Sequence, residues 1–257
     1  MTTIHELVRY ADNLLETEST PDYAGALNGL QLENRSDIRG IAAAVDFSTR
    51  AINGAIEAKA NLIAVHHGMF WGGPGPIAGP CYNRLKLLLE NDIAVYSSHL
   101  PLDRHPTLGN NVQLAKQLGL EPSQNFAAFE GVFLGVSGES KIETAVLVER
   151  VGNFARKYGS EVRTSAITRN HQTKRWGICT GAGASSETLR EAGRMKIDTL
   201  IVGEGPHWTA VHAEENDLAI IYAGHYATET LGVRALAEHL GEKYGIPSSF
   251  ISAPTGL

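Results

Sequence analysis

Asn61-Leu62-Ile63-Ala64-Val65-His66-His67-Gly68-Met69-Phe70-Trp71-Gly72-Gly73-Pro74 reads as an apolar strand that ends in two adjacent imidazoles and breaks into a loop rich in glycine. Successive strand side chains point to opposite faces of a sheet, so neighbouring histidines serve one site only where the strand is ending and the backbone can rotate. The glycines supply that freedom. Imidazole is the commonest metal ligand and carries protons near neutral pH. Histidines at the carboxyl end of a parallel strand also stand where open α/β sheets hold their ligands. Taken alone, a His-His dipeptide is more often one packed and one solvated histidine, so the rest of the chain has to decide between the readings.

Upstream, Thr3-Ile4-His5-Glu6 has capping-box spacing, and Leu7, Tyr10, Ala11, Leu14 and Leu15 follow at helical steps, which predicts an amphipathic helix to about residue 17. Residues 23–32 are punctuated by glycine and stay open between loop and edge strand. An apolar run at 38–45 ends at Asp46, and Ser48 then caps a predicted helix at 49–60 that feeds the strand at Leu62. This is a β-α-β unit. After the loop comes a helix at 82–91 and a second buried strand, 93–99, which also ends in a histidine, His99. The next loop places Asp103 four residues further on, and a helix follows at 112–118. Strand and helix thus alternate, with His and Asp gathered at strand ends, as in a parallel sheet with its site at the carboxyl edge.

The pattern pauses at Glu121-Pro122-Ser123-Gln124, the expected boundary between a first α/β domain at 1–125 and a second at 126–257, with the C-terminal segment able to return onto the first. The second half reads as strands at 132–136, 162–167, 176–180, 199–202 and 218–223. Helices alternate with them at 142–158, 187–195, 207–215 and 226–243, and a last strand falls at 249–251. The expected class is α/β: two interlinked α/β domains, each a helix-covered, mostly parallel or mixed sheet.

Gly224-His225-Tyr226-Ala227-Thr228-Glu229 follows the strand at 218–223 where a helix begins. His225 and Glu229 are then an i, i+4 pair about 5–6 Å apart on one face. In isolation a solvated pair explains them as well. Three apolar strands ending in His, or in His plus carboxylate, are harder to ascribe to chance. Nitrogen and oxygen donors without thiolate suit zinc, manganese or iron, and several carboxylates suit a bridged pair of ions. Glu229 or Asp103 is the expected bridge between two metals roughly 3.5–4 Å apart, with a bridged water acidified to a hydroxide that attacks substrate.

His66-His67-Gly68, Ser98-His99-Leu100-Pro101-Leu102-Asp103, Gly203-Glu204-Gly205-Pro206-His207 and Gly224-His225-Tyr226-Ala227-Thr228-Glu229, in this order and spacing, resemble the Nif-three-like dinuclear metal family, often labelled GTP cyclohydrolase 1 type 2 homologues. The likeness spans nearly the whole chain. It implies His66, His67, Asp103, His225 and Glu229 as ligands of two divalent metal ions per subunit. It also implies a toroidal homohexamer, a trimer of dimers, with the metal sites facing the inner cavity. Glu204, His207 and His99 are then the expected catalytic or ligand-orienting residues. Gly68 stands where many members have proline, and the large central insert of longer members is missing. The implied function is a metal-dependent hydrolase, GTP cyclohydrolase-like, acting on a small nucleotide-like or phosphoester molecule. The alternative is a non-catalytic hexameric metal-binding assembly that handles metal or serves as an interaction platform, which would need no proton carriers at Glu204 and His207.

Composition narrows the partners. The 257 residues carry a net charge of -6 and no run of Lys or Arg, so the footprint of a nucleic-acid binder is missing. Two cysteines make no disulfide framework. The amino terminus has neither a basic nor an apolar leader region, and no apolar run reaches membrane-spanning length. The expectation is a cytoplasmic protein. Gly181-Ala182-Gly183-Ala184-Ser185-Ser186 approaches a dinucleotide loop but has Ser186 in place of the third glycine and no acidic residue closing a second strand. The same loop can still take a phosphate at a helix start. Trp71 and Phe70, beside the paired histidines, are candidates for stacking on a base or sugar.

Overall fold

Continuous apolar runs joined by helices build parallel sheet, and the computed structural model, which describes residues 2–256, contains two mixed sheets, each with such parallel strands at its centre. In chain order the elements are α1 (Ile4–Leu15), β1 (Gly29–Leu32), β2 (Ile41–Asp46), α2 (Thr49–Glu57), β3 (Leu62–His67), α3 (Gly79–Glu90), β4 (Ala94–Ser97), the single turn α4 (Leu100–Asp103) and α5 (Asn110–Leu118). They continue with β5 (Gln124–Phe129), β6 (Val132–Glu143), α6 (Thr144–Lys157), β7 (Arg163–Thr164), β8 (Gln172–Cys179), α7 (Ser186–Met195), β9 (Thr199–Val202), α8 (Trp208–Glu215), β10 (Ala219–Tyr222), α9 (His225–Tyr244) and β11 (Ser248–Phe250). The class is mixed α/β, each sheet covered by helices.

The chain forms two compact units. The first runs to Leu102 and takes in Gly232–Ala253; the second is Asp103–Leu231 with the stretch from Pro254. Helix α5 belongs to the second because Leu114, Ala115 and Leu118 are buried there with Leu147 and Val151 of α6. The polar pause near Pro122 therefore lies inside that unit.

In the first unit the strand order is β1-β4-β3-β2-β11. The four strands from β4 to β11 are parallel, and β1 runs antiparallel on the β4 edge. Alternation sends Ala42, Ala44, Ile63, Val65 and Val95 to one face, where Ile52 and Ala55 of α2 and Leu88 of α3 cover them. On the other face the Tyr96 hydroxyl donates to Asp12 of α1 at 3.0 Å. Helix α1 begins where Thr3 Oγ1 accepts the Glu6 N–H and stops at Glu16, which is left-handed.

In the second unit the order is β5-β6-β8-β9-β10-β7, with β8, β9 and β10 parallel and the outer strands antiparallel. Ile178, Ile201 and Ile221 pack with α5, α6 and the start of α9; Leu200, Val202 and Ile220 face the other way onto Leu189 and Ala192 of α7 and Ala213 of α8.

The stretch 23–32 contributes an edge strand, β1, and the loop after His99 contains the helical turn α4. Strand β5 carries no sequence period because its burial does not alternate and Ala127 is left-handed. The Glu130-Gly131 turn joining it to β6 has positive φ at both central residues, the hairpin geometry that matches strand twist. The strand expected at 162–167 shrinks to Arg163–Thr164. No helix among the described residues is long and apolar enough to cross a membrane.

Candidate metal centre

In the first unit the carboxyl ends of β3 and β4 bring three histidines together. His66 is fully buried, and its Nδ1 donates to the Ser98 carbonyl at 2.9 Å. A carbonyl only accepts, so that nitrogen bears the proton and Nε2 keeps a lone pair. Asp46 is the register partner of His67 in the parallel β2-β3 pair, and its Oδ1 holds His67 Nδ1 at 2.8 Å. His99 Nδ1 is held by Asp22 Oδ1, also at 2.8 Å, while Asp22 accepts further bonds from Asn28 Nδ2 and Leu100 N. Burial acts on the Asp22 carboxyl in the upward direction, but the bonds from His99, Asn28 and Leu100 outweigh it and hold the pKa below the usual carboxylate value.

One ring nitrogen of each of His66, His67 and His99 lies within 4.8 Å of the other two. With Nδ1 held by an oxygen in all three, Nε2 is the nitrogen that carries the lone pair a metal needs. This carboxylate- or carbonyl-anchored imidazole is the arrangement that fixes the tautomer of metal-binding histidines and raises their basicity. Trp71 closes over the cluster, its ring 4.7 Å from His67 and 4.6 Å from His99 between centroids. Gln31 pins the loop beneath: its Oε1 accepts from Met69 N and its Nε2 donates to Leu27 O, and it fills the space a side chain at Gly68 would need.

In the second unit the parallel strands β8, β9 and β10 lead into Gly181, Gly203 and Gly224, linked sideways by Glu204 N to Gly181 O and Gly224 N to Gly203 O. Gly181 has φ +61, and a Cβ there would collide with Glu229 Oε1 and stand 3.5 Å from His225 Nε2. Only a residue without a side chain lets the strand end approach α9 this closely. His225, on the first turn of α9, lies between two carboxylates: Nδ1 to Glu204 Oε1 at 2.7 Å and Nε2 to Glu229 Oε2 at 3.1 Å. Burial would lower its pKa, but Glu229 and then Glu204 outweigh that and raise it to about 9. Two carboxylates on one imidazole favour positive charge at this point, which a proton or a divalent cation can supply.

Asp103 is buried at the end of α4, and its Oδ1 accepts the Asn110 side-chain amide at 2.8 Å. The Cys179 thiol, at the end of β8, is pushed up to about 12, first by burial and then by the negative charges of Asp103, Glu229 and Glu191. It stays protonated, so the donors here are imidazole nitrogen and carboxylate oxygen. That set fits hard or borderline divalent cations.

His66, His67 and His99 are thus gathered in the first unit. In the second, Glu229 and Glu204 flank His225, and the Asp103 and Glu229 charges both bear on Cys179. Glu204 orients His225, while His207 sits exposed ahead of α8. Sequence reading missed Asp22 as an anchor, and it noted Asp46 only as a strand end.

A family model described as Duf34/NIF3 (NGG1p interacting factor 3) matches residues 2–255. The chain belongs to the DUF34/NIF3 family. A Pyrococcus horikoshii member named GTP cyclohydrolase 1 type 2 homolog is 41% identical over 253 residues, 98% of either chain. One of the same name from Deinococcus radiodurans is 38% identical, covering 98% of this chain and 94% of the relative. Among solved DUF34/NIF3-like structures, the structural-genomics protein ybgI, described as of unknown function, superposes with TM-score 0.88 at 34% identity over the full length of both chains. A Thermus thermophilus protein does so with TM-score 0.82 at 35% identity, again over both full chains.

Proposed function

We propose that this DUF34/NIF3 member is a hydrolase whose His66, His67, Asp103, His225 and Glu229 hold two divalent cations, of zinc, manganese or iron type, and act on a nucleotide-like or phosphoester substrate. The observation that carries the reading is the common tautomer of His66, His67 and His99: each has Nδ1 tied to an oxygen, with one ring nitrogen of all three within 4.8 Å. Packing alone requires each buried Nδ1 to be paired, but not that a second ring nitrogen of all three histidines converge on one point. Two divalent ions supply Lewis acidity and a lowered pKa for bound water.

The protein's own groups do the remaining work. Asp46 and Ser98 O fix the paired imidazoles, and Glu204 fixes His225. His99, held by Asp22, places a third imidazole beside the paired histidines. Trp71 limits water over His67 and His99 while leaving part of its indole, 43% exposed, open to a planar group. The relatives named GTP cyclohydrolase 1 type 2 homolog make nucleotides the first substrate class to screen.

The test is elemental analysis of protein purified without chelator, beside His66→Ala and Glu229→Ala. About two metals per chain, lost from both variants, is the expected result; a metal-free wild type sinks the reading. Glu204→Gln then separates a hydrolase from a metal-handling protein: turnover falls in the first case while metal remains. The family assembly, a homohexamer, is proposed with it, and sedimentation equilibrium is expected to give six times the chain mass.

A further inference from the structure

A cleft of about 410 Å³ lies in the second unit at the carboxyl ends of β9 and β10, where Gly203-Glu204-Gly205-Pro206-His207 and Gly224 leave the sheet. That edge is where open α/β sheets hold ligands. Its titratable lining is Glu161, Arg163, Glu204, His207 and Tyr222, beside the hydroxyls of Ser160 and Thr164.

Arg163 is in register with Tyr222 across the β7-β10 pair, and directly opposed residues of an antiparallel pair project from the same face. On that face Tyr222 meets the start of α8. Thr209 Oγ1 donates to Pro206 O and so receives the Tyr222 hydroxyl at 2.7 Å, and a Cβ at Gly205 would stand 3.2 Å from the Tyr222 ring. The register therefore carries Arg163 on the same side as His207, the residue just ahead of α8.

The side chains of Arg163 and His207 have no hydrogen-bond or ion-pair partner among the described residues. On a convex surface that is ordinary. Here the free cation lines a concavity that also contains Glu204, the carboxylate holding His225. An arginine fork occupies two oxygens of an anion in one plane. A carboxylate is filled by that fork alone, whereas a phosphate has a third terminal oxygen left for the His207 imidazole. The size suits a molecule of mononucleotide scale. Glu161 and Glu204 both line the cleft and both oppose an anion; Glu204 also holds His225, so Glu161 is the one that can be neutralised without disturbing that imidazole.

We propose that this cleft seats the phosphate of a phosphate-monoester substrate, with Arg163 and His207 as the binding groups. The proposal rests on the hydrolase reading for calling that ligand a substrate.

Calorimetric titration of metal-loaded protein with guanosine 5′-monophosphate, and with guanosine as the phosphate-free control, tests it. Arg163→Gln is expected to weaken the nucleotide by at least about 10-fold with guanosine unchanged. Glu161→Gln is expected to tighten the nucleotide a few-fold by removing a like charge. Lys196→Gln, in another part of the same unit, should match wild type. Equal nucleotide affinity in wild type and Arg163→Gln, guanosine binding as well as the nucleotide, or no nucleotide binding at about 10 mM overturns the proposal. His225→Ala separates the two readings. If it lacks metal but keeps the Arg163-dependent binding, both readings stand; if wild type has no metal yet shows that binding, the metal reading alone fails. If wild type holds two metals and Arg163→Gln changes nothing, the cleft proposal alone fails.

Discussion

Asp46 shows what a single anchoring carboxylate contributes. Asp46→Asn leaves an oxygen to hold His67 Nδ1 but removes the negative charge that makes Nε2 a better donor, whereas Asp46→Ala removes both. Metal affinity measured by competition with a chromophoric chelator is expected to fall about 10-fold in the first and toward about 100-fold in the second, with the fold retained. Affinity unchanged in both would mean that His67 is not a ligand. The cysteines give a second residue-scale expectation. Cys179 is buried and its pKa lies near 12, while Cys81 is partly accessible. Only the thiolate is nucleophilic, so native protein at pH 8 should consume one equivalent of an aromatic disulfide reagent, and Cys81→Ser should consume none. At this scale the sequence was readable wherever chemistry marks a residue: His66, His67, His99, His225 and Glu229 stand out by type at strand ends. Asp22 did not, because 77 residues separate it from His99 and it lies in a loop without any period.

At the scale of elements, one glycine just past a strand and one inside a strand make opposite demands. Gly181, two residues beyond β8, has φ +61, and a methyl there meets the tip of the Glu229 side chain, which can move. Gly181→Ala therefore costs about 1–2 kcal/mol of left-handed strain and displaces a candidate ligand. Gly138 sits within β6, and a methyl there meets the Glu121 carbonyl at 2.5 Å and the buried Trp176 ring at 2.6 Å, neither of which yields easily. Gly138→Ala is expected to cost about 1–3 kcal/mol by overpacking. Denaturant melts with metal analysis distinguish them: both variants lose stability, but only Gly181→Ala loses metal. Retained stoichiometric metal in Gly181→Ala would remove Glu229 from the ligand set. The parallel strands β2, β3, β4, β9 and β10 were legible because burial on both faces forces continuous apolar runs. Strands β1 and β5 were not. They are edge strands with mixed burial, and their place is set by pairing with β4 and β6 rather than by local pattern.

Over the whole molecule, the chain leaves the first unit at Leu102, re-enters at Gly232 within α9 and leaves again after Ala253. Two of the three crossings fall beside residues proposed as ligands: Asp103 directly follows Leu102, and Glu229 lies three residues before Gly232. Sequence order therefore does not separate one unit's function from the other's, which is why a boundary sought in composition fell at the polar pause instead. Each cation bound by the folded chain and not by the unfolded one stabilises it by mass action, about 2.7 kcal/mol at 100 times Kd. For a chain of this size that converts to a Tm increase of roughly 5–10 °C per ion, roughly 10–20 °C for two. Thermal melts of wild type with and without a strong chelator should differ by that amount, and melts of His66→Ala should coincide, because the variant has no metal to lose. A wild type indifferent to chelator, with two metals still counted per chain, would mean that the ions bind the unfolded chain as well as the folded one. Coincident wild-type melts with no metal counted would return the histidines to a purely structural role.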